Sequence, residues 1–148
     1  MDVAKYIAHY IEELRQGGGA DYCLTEAAET AVPLLVAAMK AETEPDVRRG
    51  LVYAIWQYRL PSTAPFLADL LEDRDDEVRQ QALDGLITLG TPEARRAIEA
   101  ALARCRNRPE EQGDFAKYLA EAIELMDERE EFSGEIHDEG LKEREERK

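Results

Sequence analysis

Apolar side chains return every three or four positions along most of this chain, the spacing that lines one face of a helix. Val3, Tyr6, Ile7, Tyr10, Ile11 and Leu14 open the pattern and predict an amphipathic helix over roughly the first fifteen residues. Gln16-Gly17-Gly18-Gly19 ends it, because consecutive glycines leave the backbone too many conformations to hold a helix, and a flexible loop is expected near 16–24. Val32, Leu35, Val36 and Met39 form a second stripe from about Thr30 to Lys40, with Pro33 expected in the first turn, where its missing N–H is harmless. The pattern leaves open whether Thr25 to Glu29 joins that helix. A third helix begins near Glu44-Pro45-Asp46 and carries Leu51, Ile55 and Tyr58 inward. The chain then turns at Arg59-Leu60-Pro61-Ser62 into a helix with Phe66, Leu67, Leu70 and Leu71.

The sharpest punctuation lies between Asp76 and Leu102. Val78, Ala82, Leu86 and Leu89 line one helix face, which a neighbour must cover. Gly90 is suited to a left-handed exit, Thr91 to capping the next helix through its hydroxyl, and Pro92 to its first position. The next stripe continues through Ala94, Ile98, Ala101 and Leu102. Arg104, Arg106 and Arg108 follow near the helix end, where cations oppose the helix dipole favourably. Phe115, Leu119, Ile123 and Met126 then predict a closing helix, with Tyr118, Ala122 and Leu125 widening its stripe.

Two of these helix pairs repeat. Val47-Arg48 aligns with Val78-Arg79, Pro61 with Pro92 and Leu67 with Ile98, every pair 31 residues apart. The same offset places Leu35, Val36 and Met39 on Phe66, Leu67 and Leu70, so the helix before residue 41 is the second half of an earlier unit. A constant period with two helices per unit is the signature of a stacked helical repeat. Where the third unit has Asp84 and Ile87, the second has Tyr53 and Trp56. Trp56 is expected at or near the core, and Tyr53, opposite an acid, is the candidate exposed ring; exposed aromatics favour partner surfaces.

Composition narrows the function. A chain of 148 residues with 44% hydrophobic content suffices for one domain, taken as 1–131, and has no apolar run long enough to span a membrane. Met1 to Tyr6 lacks the basic-then-apolar order of a secretory signal, so a cytoplasmic location is expected. The formal charge of −14 argues against nucleic acid and anionic lipid and favours a basic protein partner. Residues 132–148 offer only Phe132, Ile136 and Leu141 as large apolar groups among many charges, so a mobile tail is expected.

Candidate chemistry is sparse. Asp73, Asp75 and Glu77 alternate as calcium ligands would, but Val78 stands where the loop needs glycine and Asp84 where it needs a bidentate glutamate; an acidic helix cap explains the run without a metal. His9, Cys23, Cys105 and His137 are too scattered for zinc or iron, and no histidine lies near Cys105 to activate it. No metal, cofactor or catalytic residue is therefore assigned.

The run from Asp76-Glu77-Val78-Arg79 through spaced Ala and Leu to Leu89-Gly90-Thr91-Pro92-Glu93-Ala94 resembles a HEAT repeat of the short bacterial kind found in phycobilin-lyase-like proteins. The resemblance extends from about Val32 to Leu102. It implies an all-α fold, a short right-handed α-solenoid of antiparallel helix pairs, in which Arg48 and Arg79 bond acids and turn carbonyls between adjacent repeats. Asp46 and Glu77 are the matching acids beside those arginines. It further implies that second helices line a concave face, bringing Asp69, Glu72, Asp73, Arg95 and Glu99 within reach of a partner. The expected function is a non-enzymatic scaffold, a monomer or weak dimer, offering those residues and Tyr53 to a basic protein, with an immunity protein or toxin inhibitor as its narrower form. A chromophore-lyase-like enzyme or small-molecule-binding protein is the alternative the resemblance carries.

Overall fold

The computed structural model describes residues 3–18, 28–108 and 114–130. Among the described residues the regular structure is entirely helical, and the fold is all-α. The glycine loop beyond residue 18, Cys23, Thr25, His137 and the expected tail at 132–148 lie outside them. The chain divides into two compact units, Met1–Ala97 and Ile98–Lys148.

In the first unit, α1 (Val3–Arg15) buries Ile7 and Tyr10 and stops where glycine permits. Gly17 takes a positive φ of 83°, its N–H donates to the Leu14 carbonyl, and the Gly18 N–H reaches back to Glu13 at 2.8 Å. That pair of bonds closes the helix end as a Schellman motif. The second helix, α2 (Ala28–Ala41), buries Ala31, Val32, Leu35 and Met39. It starts earlier than the stripe predicts, so Pro33 lies in its second turn, unable to donate to the Glu29 carbonyl. Glu29 and Pro33 are both exposed, so the missing bond lies on the exposed face of the helix.

The helix α3 (Pro45–Gln57) has Pro45 at its first position and buries Val47, Leu51, Val52, Ala54 and Ile55. Tyr58, expected inward, is only half-buried. The second half of this unit departs from the repeat. Pro61–Thr63 forms a 3-10 turn, and α4 (Ala64–Leu70) is a short helix. Pro65 contributes to this: with no N–H it cannot bond back to the Pro61 carbonyl, which accepts from the Ala64 N–H in the 3-10 turn instead. The third unit follows the prediction closely. Asp75 caps α5 (Asp76–Leu89), accepting from the Glu77 and Val78 amides, and Gly90 exits with φ 62°. The Thr91 hydroxyl accepts from the Ala94 N–H at 3.1 Å and Pro92 opens α6 (Pro92–Asn107).

Packing in this unit runs α1 on α2 and α3, α2 on α3, α3 on α5, and α4 on α5. Two glycines set the closest approaches. A Cβ on Gly50 would meet the Leu14 side chain at 2.5 Å, and one on Gly85 would meet the Trp56 Cβ at 2.8 Å and Leu67 Cδ1 at 3.0 Å. Leu14 can swing its branch aside, whereas the Trp56 Cβ moves only with its helix. Gly85→Ala should therefore destabilise the fold by up to about 2 kcal/mol, overpacking of about 1–3 kcal/mol being offset in part by the roughly 1 kcal/mol that alanine gains in a helix. Urea denaturation checks this, and a stabilised variant would mean that α3 and α5 separate freely.

In the second unit α6 continues, burying Ile98, Ala101, Leu102 and Cys105, and the last of the described helices, α7 (residues 114–130), buries Phe115, Leu119, Ala122 and Met126. Tyr118 and Leu125, expected to widen the buried stripe, are exposed at 47% and 41%. Phe115, Leu119, Ala122 and Met126 make the inward stripe, Ile123, expected within it, is half-buried, and Tyr118 and Leu125 fall outside its edge.

Candidate protein-binding face

The acidic run between α4 and α5 is a set of structural bonds to α3. Arg48 grips Asp73 with both guanidinium arms, Nη1 to Oδ1 at 3.0 Å and Nη2 to Oδ2 at 2.7 Å. Such a two-pronged pair fixes orientation as well as distance. Asp73 Oδ1 also accepts from the Asp75 N–H at 3.0 Å, while the Asp73 carbonyl accepts from Arg79 Nη1 at 2.7 Å. Arg79 also pairs with Asp76. The hydrogen bond from Arg48 holds the Asp73 carboxyl below the usual carboxylate range, against the opposing effect of burial. Burial would raise Asp75, but bonds from Arg49 and from the Glu77 and Val78 amides outweigh it and lower it too.

Arg48 thus bonds an acid, and Arg79 a turn carbonyl, as the repeat resemblance implies, but the partner that joins repeats is Asp73. Asp46 and Glu77 instead reach Arg49, which also bonds Asp75. Three carboxylates converge on that one guanidinium.

The six residues proposed from sequence are spread over several elements. Tyr53 is exposed on α3 and Asp69 on α4, the first and second helices of one unit. Glu72 and Asp73 lie beyond the end of α4, in the turn before α5. Glu72 is exposed, whereas the Asp73 side chain is 11% exposed and committed to Arg48. Arg95, half-buried, and Glu99, exposed, are one turn apart on α6.

Around Tyr53 the side chains form a shelf. Its ring meets that of Trp56 edge to face, centroids 5.4 Å apart and planes at 82°. Trp56 is half-buried, and its Nε1–H donates to Gln81 Oε1 on α5 at 2.8 Å, which fixes the indole. Near Tyr53 is Tyr10 of α1, buried, its hydroxyl donating to the Gly50 carbonyl at 3.3 Å. Burial first, then the neighbouring Tyr53 and Tyr58 hydroxyls, pushes the Tyr10 pKa up. Asp84 takes on α5 the position Tyr53 holds on α3. Partial burial raises its pKa. Sequence reasoning used Asp84 only as a reference for Tyr53, although their shared register already put the acid at the equivalent position of the next repeat's first helix.

The constant offset, the Gly90 exit and the arginine bonds between units describe a recurring helix pair, and a family model of HEAT repeats matches residues 32–113. The chain belongs to the HEAT-repeat family. No match was found among curated proteins or among solved structures. The HEAT match covers α3 to α6 completely, so both arginine positions and the Tyr53 shelf lie inside it. Among the described residues, no helix is long and apolar enough to cross a membrane, and no group of three or more His, Cys, Asp or Glu side chains could hold a metal ion.

Proposed function

We propose that this HEAT-repeat protein is a non-enzymatic interaction scaffold that presents carboxylates and an exposed aromatic ring to a protein with a basic surface. HEAT repeats commonly mediate protein–protein contact, and a preorganised helical surface lowers the ordering cost of binding. The observation that carries the reading is Tyr53, 44% exposed on an interlocked repeat in a chain with 33 acids against 19 bases. Rigid aromatics anchor interfaces, and an excess of one charge steers encounter with its opposite. An immunity protein or inhibitor covering the nucleic-acid site of a basic toxin is the narrower form. The chromophore-lyase alternative rests on the lyase-like kind of repeat, a distinction the family match does not reach.

The test is affinity capture from the source lysate at low and at roughly physiological salt, with identification of what is retained. A stoichiometric basic protein whose retention falls with salt is expected. A nuclease in that role selects the immunity form. A retained pigment, or no protein at either salt, overturns the scaffold.

A further inference from the structure

We infer that the shelf formed by Tyr53 and Trp56 on α3 and Asp84 on α5 is a docking site for an arginine side chain of a basic protein segment. The inference rests on the scaffold reading and names the chemistry of its partner. Two aromatic rings at right angles offer a π-face and an edge, and a guanidinium is attracted to the face of tryptophan or tyrosine when it lies within roughly 6 Å of the ring centre. The shelf is preorganised: Gln81 fixes the indole, and the close packing at Gly85 fixes the Trp56 Cβ against α5. A planar cation that stacks there loses little to ordering of the protein.

Charge selects the occupant. Asp84 is an exposed acid on α5, next to Gly85, which packs against the Trp56 Cβ, and one turn on from Gln81, which binds the indole; its carboxylate is also partly desolvated. Such a carboxylate gains more from an arriving cation than a fully hydrated one. The nearby cation Arg49 is already matched by Asp46, Asp75 and Glu77, so it adds no net positive charge to oppose the newcomer. Arginine suits the shelf better than lysine because its planar guanidinium stacks on a ring while its N–H groups reach a carboxylate, whereas an ammonium is a compact, strongly hydrated point charge.

Trp56 is the only tryptophan in the chain, so its fluorescence reports on the site directly. The probes are two capped peptides, alternating arginine with glycine and lysine with glycine, titrated into the full chain and followed by emission and calorimetry. The arginine peptide should bind saturably and about fivefold or more tighter than the lysine peptide. Tyr53→Ala and Asp84→Asn should each weaken it about fivefold or more at unchanged helical circular dichroism, and Tyr53→Phe should retain it. Glu121→Gln with Glu124→Gln, on α7, removes two charges that are not part of the shelf and should leave affinity nearly unaltered. No binding, equal binding of the two peptides, or an equal loss from the α7 charges overturns the site. A basic protein captured equally by wild type and by Tyr53→Ala also overturns it while leaving the scaffold standing. Selective peptide binding without any captured protein keeps the site and removes the scaffold.

Discussion

Leu86→Ala should lower the unfolding free energy by about 2 to 5 kcal/mol, the range for removing a large aliphatic side chain from a packed interior. Leu86 is fully buried, on the face of α5 that also buries Val78 and Ala82, and α5 packs against both α3 and α4. Truncation loses the transfer free energy of the deleted carbons and leaves a cavity that helices tied by Arg48, Arg49 and Gln81 cannot easily collapse. Leu89, one turn on, is only half-buried, so Leu89→Ala should be milder. Urea titration distinguishes them: the midpoint should fall markedly for Leu86→Ala with little change in slope, since the native surface is the same. A loss below about half a kcal/mol would place Leu86 outside the core that holds the repeats together. Against a typical total of about 5–15 kcal/mol, the expected loss is enough to unfold a marginal domain.

What the sequence made legible follows from how local each cause is. The α5–α6 junction was readable residue by residue because Asp75, Gly90, Thr91 and Pro92 act on their own backbone neighbourhood. The α3–α4 junction was not, although Pro61 aligns with Pro92. One residue outside the aligned set, Pro65, denies the Pro61 carbonyl its α-helical partner, and the carbonyl accepts from the Ala64 N–H in a 3-10 turn. On α7 the spacing gave the inward axis but not the stripe's width, since only the neighbouring surface decides whether Tyr118 and Leu125 are covered.

The candidate site divides along the same line. Tyr53 could be picked out because one offset set it opposite Asp84, a comparison that needs no tertiary knowledge, and it is exposed. Asp73 could not be separated from its acidic neighbours in that way. Its partner Arg48 lies 25 residues earlier in sequence, and only the stacking of α3 beside the α4–α5 turn brings them together. The same stacking brings Glu77 to Arg49, which Asp46 reaches along its own helix, so the acids adjacent in sequence to Arg48 and Arg79 pair with Arg49 instead. Carboxylates that look alike along a chain are thus sorted by burial. Asp73 and Asp75 are held against arginines with little exposure, whereas Asp69 and Glu72 are exposed.

That sorting gives the second large effect. Asp73→Asn should cost about 1.5 to 3 kcal/mol at neutral pH, because it replaces a charge-assisted, two-pronged pair and leaves Arg48, itself only 19% exposed, without its counter-charge. The sign with pH follows from the lowered carboxyl. A folded-state pKa below the unfolded value of about 3.9 means the unfolded chain takes up the proton first, so the stabilisation is complete above that value. It is lost as pH falls through the folded-state pKa. Asp75 is lowered as well and acts in the same direction. Asp84 is raised and acts oppositely: its contribution is complete below the unfolded pKa and is lost as pH rises through the folded one. Urea midpoints measured from neutral to acid pH should therefore show wild type falling below about pH 4 and Asp73→Asn falling less, the two curves converging as Asp73 becomes protonated. A constant gap across the range would mean that asparagine disturbs packing and that the charge on Asp73 does not hold α3 to the next repeat.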